Sequence, residues 1–162
     1  AADAQGNLQA GSVYGNGGLS EDQDVNLSVD PNWKKTAMGW AVVPWGCQKL
    51  LTWISDRYDA PDIYITENGC AYADAPVEGK VQDDERIAYY EGYLNACHDA
   101  ISNGIKLKGY FAWSLMDNFE WASGYAKRFG LHYVDFDTLE RIPKASADWY
   151  KKVIEANRVK HK

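Results

Sequence analysis

Two polar clusters interrupt the most apolar stretches of the chain, and their residue types could act together. The first, Thr66-Glu67-Asn68-Gly69, directly follows Ile63-Tyr64-Ile65. The second, Trp113-Ser114-Leu115-Met116-Asp117-Asn118-Phe119-Glu120-Trp121, directly follows the run from Leu107 to Ala112. A carboxylate ending one apolar strand, faced by tryptophan and a second carboxylate from another, suits cleavage of a glycosidic bond. That reaction needs carboxylates to exchange protons and to trap an oxocarbenium-like centre, with aromatic planes to hold the sugar ring. Pattern alone leaves another reading open, since a strand-end Glu67 could equally cap a helix or sit in a salt bridge.

The remaining polar residues are less pointed. His98, His132 and His161 share no metal-ligand spacing and read as three unrelated surface or satisfied histidines, so no metal and no other cofactor is expected. Asp117 either braces the loop between Trp113 and Glu120 or caps a turn. Cys70 lies close to Glu67 in sequence and could modulate it, but reads more simply as a buried, inert thiol.

The elements that must position these clusters follow from periodicity. Pro44 suits the first turn of a helix, and Cys47, Leu50, Leu51, Ile54 and Tyr58 repeat at helical spacing up to Pro61. Ile63-Tyr64-Ile65-Thr66 is a β-branched and aromatic run that predicts a buried strand, stopped by a polar turn at Glu67-Asn68-Gly69. A second helix, capped by Asp83 or Asp84, places Ile87, Tyr90, Leu94, Cys97 and Ile101 on one face and ends at Asn103-Gly104. A second apolar strand runs from Leu107 to Trp113. A hairpin-like region follows, marked by Gly130, Leu131, Tyr133 and Phe136, and Pro143 opens a last helix through about Asn157, with Trp149, Val153 and Ala156 on one side. Apolar strands separated by helices predict a parallel sheet covered on both faces, with functional residues just beyond the strands' C-terminal ends.

Composition narrows the classes. The formal net charge is -6 and the first basic residue is Lys34, which supplies no patch for nucleic acid. No apolar run approaches the roughly 18 residues of a membrane span, and nothing at the start reads as a signal peptide. Seven Trp and eleven Tyr fit either core filling or sugar stacking, and composition cannot choose between them. Three cysteines without C-x-x-C spacing lean toward a reducing, cytoplasmic compartment, while the sequon Asn26-Leu27-Ser28 leaves secretion open. Residues 1–33, with five glycines and the acidic stretch Glu21-Asp22-Gln23-Asp24, read as a functional loop or as disorder.

Longer motifs add a resemblance. Tyr64-Ile65-Thr66-Glu67-Asn68-Gly69 resembles the nucleophile motif of glycoside hydrolase family 1, the β-glucosidase family, and the segment Phe111 to Trp121 resembles that family's last-strand motif. Gly124-Tyr125, Lys127-Arg128-Phe129-Gly130-Leu131, Tyr133-Val134-Asp135, Arg141-Ile142-Pro143-Lys144 and Trp149-Tyr150 continue the likeness in order, from about Trp33 to Ile154. The resemblance implies a retaining β-glucosidase acting on a β-glucoside or a short β-linked oligosaccharide. It also implies roles. Glu67 corresponds to the nucleophile, Glu120 to the residue that binds the O4 and O6 hydroxyls, and Trp121 to its neighbour on a ring hydroxyl. Trp113 corresponds to the platform under the sugar or aglycone, and Phe129 to a wall of the pocket.

The implied fold is α/β, the C-terminal part of a (β/α)8 TIM barrel, comprising its last two strands with their helices and incomplete on its own. Such a barrel typically needs about 250 residues. The family's acid/base lies in a Thr-x-Asn-Glu-Pro motif, and no Asn-Glu-Pro occurs here. The expected organisation is therefore a loop over 1–33 at the active-site rim, then the C-terminal βα units of the barrel over 34–162. The expected partner is the missing N-terminal part of the barrel. The competing reading is a non-catalytic sugar-binding or scaffold relative of the same fold, or an inactive fragment.

Overall fold

A computed structural model describes residues 30–159. Most of the glycine-rich segment, the Asn26 sequon and His161 lie outside the described residues. Of the expected rim loop only residues 30–33 are described, and they form a turn in which the Asp30 carboxylate accepts the Asn32 N–H at 2.8 Å.

The chain proper begins with helix α1 (Pro44–Arg57), which starts on the expected proline. It ends where Asp59 and Ala60 take positive φ values of 57° and 48°, just before Pro61. The inward stripe is narrower than the spacing predicts. Leu51 and Ser55 are buried, whereas Leu50 and Tyr58 are exposed, because among the described residues α1 packs mainly on helix α2 (Asp84–Ser102) and the sheet edge beneath.

Helix α2 ends at Asn103-Gly104 as expected, with Gly104 at φ 89°. Its buried face is Arg86, Tyr89, Tyr90, Tyr93, Ala96, Cys97 and Ala100. That stripe is rotated from the expected one, leaving Ile101 exposed. Counting apolar residues alone misses it, since Arg86 is buried by pairing with carboxylates and the tyrosines carry hydroxyls that find partners inside. Asp83 precedes the helix as expected, but its side chain makes no cap. It bonds instead to Arg86 and to both N and Oγ of Ser146.

Strands β1 (Ile63–Gly69) and β2 (Leu107–Trp113) pair in parallel across α2, with Ile63 beside Leu107 and Gly69 beside Trp113. The expected turn at Glu67-Asn68-Gly69 is strand. Between the pairs Ile65–Tyr110 and Asn68–Ala112, β1 advances one residue more than β2, which makes a bulge at Thr66-Glu67. Helices cover one face only. There Ile63, Ile65, Leu107 and Tyr110 pack on Leu51, Cys97, Ala100 and Ile105. The opposite face leaves Tyr64, Phe111 and Trp113 exposed, so among the described residues the second covering layer expected for a parallel sheet is absent.

A short antiparallel hairpin, β3 (His132–Val134) with β4 (Arg141–Pro143), leads into helix α3 (Ala145–Ala156). The last helix opens two residues later than expected, because Pro143 belongs to the hairpin and Lys144 N continues its ladder to Leu131 O at 3.0 Å. It closes at Asn157 in the left-handed conformation. Trp149 and Val153 are half-buried and Ala156 is exposed.

The tyrosines are the core and most tryptophans are not. Tyr89, Tyr90 and Tyr93 are buried, while Trp33, Trp45, Trp53, Trp113 and Trp121 are exposed. Tyrosine serves here because the ring fills space while the oxygen finds a partner, backbone for Tyr90 and Tyr93 and side chains for Tyr89. Tyr90 donates to Trp113 O at 3.0 Å, and Val43 N donates to the Tyr93 hydroxyl at 3.2 Å.

The closest backbone approach lies at Gly69, where a Cβ would run into the carbonyl of Trp113. Gly69→Ala is therefore expected to push the two strand ends apart and to cost at least about 2 kcal/mol. Urea unfolding of the variant beside the parent measures it.

Candidate active site

The site is assembled from two strand ends and one loop. On β1, alternation and the bulge separate neighbouring side chains. Asn68 turns inward, where its Oδ1 accepts the Tyr110 hydroxyl at 2.6 Å, and Glu67 is left exposed at the bulge, next to the open face. A bulge re-aims a side chain without interrupting the strand, and this one fixes Glu67 on a backbone paired on both sides of it. On β2, Trp113 ends the strand, paired with Gly69 two residues beyond Glu67.

The chain then leaves β2 through a cis peptide at Trp113-Ser114 and makes a loop over 114–131. The loop's two legs are laced at the base. Ser114 N donates to Phe129 O (3.2 Å), Leu131 N to Ser114 O (2.8 Å) and His132 N to Leu115 O (3.0 Å). At the tip, Glu120 is half-buried and precedes a single 3-10 turn at Trp121–Ser123, closed by Glu120 N donating to Gly124 O at 2.7 Å. Partial burial raises the Glu120 carboxyl above its ordinary range. Trp121 stands 81% exposed, and Phe129 is buried with its ring against Trp40. Of the five expected site residues, the fold thus sets Glu67 and Trp113 at adjacent strand ends and Glu120 and Trp121 at the loop tip. Phe129 sits in the loop's buried base.

Beneath both parts lies a cluster of buried charges. Arg86 bridges Asp83 (2.5 Å) and Asp74 (2.7 Å), and Lys144 bridges Asp74 (2.6 Å) and Asp117 (2.9 Å). Arg128 pairs with Asp117 at 2.7 Å and lies 3.9 Å over the Tyr133 ring. Three carboxylates meet three cations, and Arg86 and Lys144 are fully buried. Removing one member of such a group leaves a buried charge unpaired and typically costs about 3–5 kcal/mol. Of the two readings of Asp117, bracing the loop is the one the structure bears out. Sequence reasoning missed Asp74, Arg86, Arg128 and Lys144. The only available signal was charge inside otherwise apolar helical or strand-flanking segments, and it carries no address for the partners.

The model of glycosyl hydrolase family 1 matches residues 13–159. The chain belongs to that family. It is 50% identical over 130 residues to a 1,4-beta-D-glucan glucohydrolase of Thermotoga neapolitana, and 49% identical over 131 residues to beta-glucosidase A of Acetivibrio thermocellus. Each match covers 80% of this chain and 29% of the relative, so the chain spans under a third of their length. The solved family 1 β-glucosidase of Thermotoga maritima superposes with a TM-score of 0.80 at 47% identity, covering 82% of this chain and 30% of the enzyme. The fold is accordingly the C-terminal part of a family 1 TIM barrel, with two of its strands and no closed barrel among the described residues.

Within this family fold the thiols are set apart by burial. Burial pushes the Cys70 thiol up to about 12, despite the nearby Arg86 pulling it down. A hydrogen bond with Cys97 lowers Cys47 and raises Cys97. A raised thiol pKa keeps Cys70 in the unreactive protonated form at pH 8. Iodoacetamide at that pH is expected to label Cys47 first and to spare Cys70 until the protein is unfolded, as read by peptide mass spectrometry.

Proposed function

We propose that this chain supplies the nucleophile and part of the sugar-binding site of a retaining β-glucosidase, acting on terminal β-D-glucosyl residues of a β-glucoside or short β-linked oligosaccharide. The observation that carries this reading is the exposed Glu67, held at a bulge in a paired strand beside Trp113 on the open face of the sheet. Carboxylate and aromatic plane are then borne by rigid elements, which supports attack without ordering a loop first. Relatives named for β-glucosidase activity support the substrate class, as do solved T. maritima β-glucosidase complexes with isofagomine lactam and with glucoimidazole.

In the proposed reaction a Glu67 oxygen attacks the anomeric carbon. The glycosidic C–O bond breaks as an acid outside this chain protonates the leaving oxygen. Water, deprotonated by the same group, then displaces Glu67 from the opposite face, and the sugar leaves with its configuration retained. Glu120 accepts the O4 and O6 hydroxyls, Trp121 donates its indole N–H to a ring hydroxyl, Trp113 lies under the sugar or aglycone, and Phe129 backs the pocket.

The partner required is the remainder of the barrel. The open edge of β2 flanks an apolar groove of about 790 Å³ lined by Leu94, Cys97, Ile101, Leu107, Tyr110 and Val153. Asn95 Oδ1, in the same groove, is buried without a hydrogen-bond partner among the described residues. An incoming strand would pair the open edge of β2, which supports this as the seat of the missing part.

Glu67→Gly in a complete barrel is expected to lower turnover of an aryl β-glucoside by roughly a thousandfold or more. Azide should restore it and give the α-glycosyl azide, because one displacement replaces two. A β-azide by proton NMR, or near-parental activity, would remove Glu67 from this role. The 162-residue chain by itself is expected to be inactive, since retention needs two carboxylates about 5–5.5 Å apart and the partner of Glu67 is elsewhere. Turnover by purified chain, free of host glycosidase, would refute it. Glu120 beside O6 should also reject a sugar 6-phosphate by charge repulsion, so nitrophenyl β-glucoside is expected to be cleaved in preference to its 6-phosphate.

A further inference from the structure

The tip of the 114–131 loop is held by ring contacts and turn bonds, none of which, among the described residues, is made by the Glu120 side chain. Phe119, Trp121 and Tyr125 are all exposed, although Phe119 meets Tyr125 edge-on (5.6 Å) and Tyr125 lies against Phe136 (4.4 Å), and Glu120 itself is held by backbone bonds of the turn to Ser123 and Gly124. The directed bonds lie at the base, three residues before Glu120. Both oxygens of the buried Asp117 carboxylate are saturated. Oδ1 accepts from Gly130 N (2.8 Å) and Lys144 Nζ (2.9 Å), and Oδ2 from Arg128 Nη1 (2.7 Å) and Val134 N (3.4 Å). The Asp117 N–H donates to His132 O at 3.0 Å, so the residue is held by backbone as well as side chain.

The same network reaches the other half of the site. Lys144 hands Asp117 to Asp74, and Asp74 to Arg86. Arg86 donates through Nε to Cys70 O (3.4 Å), one residue past β1, and through Nη2 to Arg128 O (2.7 Å) in the loop. A planar fork with several fixed donors can hold two backbone segments at a set separation, which a flexible point charge cannot. Strand β1 with Glu67, and the loop with Glu120, are therefore referenced to one rigid group of charges.

We propose that the buried Asp117–Arg128–Lys144–Asp74–Arg86 network positions Glu120 relative to Glu67, with Asp117 as the positioning residue that sets recognition of the sugar's C6 hydroxymethyl group. The proposal rests on Glu120 binding O4 and O6. A shift of the loop base moves a hydrogen-bond acceptor off its hydroxyls while leaving Glu67 on its own paired strand. The penalty then falls more heavily on sugars that carry the hydroxymethyl group, because those that lack it lose the O4 contact alone.

Aryl β-glucoside and aryl β-xyloside, which differ only in that group, read this directly in a complete barrel. Glu120→Ala is the reference and is expected to lower kcat/KM for the glucoside about a hundredfold more than for the xyloside. Asp117→Asn keeps the volume but turns an amide N–H₂ toward donors. It should lower glucoside kcat/KM by about tenfold or more while the xyloside changes by less than about threefold. Arg128→Lys, nearer the surface and retaining the charge, should act in the same direction, and it decides the matter should Asp117→Asn fail to fold by thermal melting. Equal losses on both substrates in a folded variant would make the network merely structural and overturn the proposal, as would no loss on either. A Glu120→Ala variant that fails to discriminate would instead strike down the reading of Glu120, and the proposal with it.

Discussion

Arg86 is fully buried on a helix that otherwise buries tyrosine, alanine and cysteine, and much of this structure depends on how its charge is met. An unpaired guanidinium there would be prohibitive, so Asp83 and Asp74 must come to it, and Lys144 and Asp117 must come to Asp74. Meeting that requirement draws together the end of β1, the segment leading into α2, the base of the 114–131 loop and the start of α3. Hydrophobic packing accounts for how the helices lie on the sheet. The charges account for how the loops lie on each other.

That division matters for the chemistry proposed. A strand end is fixed by its ladder, and the bulge at Thr66-Glu67 only has to choose a direction for one side chain. A loop of about eighteen residues has no ladder beyond its base, and hydrophobic contact is too undirected to set a carboxylate to within the tolerance that sugar recognition needs. Hydrogen bonds with defined donors and acceptors supply the direction. Both Asp117 oxygens are saturated, and a polar group that is fully satisfied inside a core makes one loop geometry far better than its neighbours.

The open face of the sheet has a matching explanation. Tyr64, Phe111 and Trp113 project where no described residue covers them, beside the strand-end carboxylate. In a closed barrel the face opposite the helices points inward and is filled by side chains from the other strands. A chain spanning under a third of its relatives' length contributes one sector of such an interior. The exposed aromatics thus lie on the face that points into the interior of a closed family 1 barrel, with Glu67 beside them.

Much was legible in the sequence by itself. Helical periodicity, continuous β-branched and aromatic runs, a proline at the start of α1 and Asn-Gly at the end of α2 are local signals, and they placed all three helices and both parallel strands to within a few residues. The order of motifs from Trp33 to Ile154 named the family, because it joins residue types to spacings over more than a hundred positions. Tertiary structure decided the rest. The strand end at Glu67 depends on β2 carrying pairing through to Gly69, the inward face of α2 depends on carboxylates up to 12 residues away in sequence, and Asp117 finds Lys144 across 27. Side-chain type tells what a residue can bond, but a long-range partner is chosen only when packing brings two segments together.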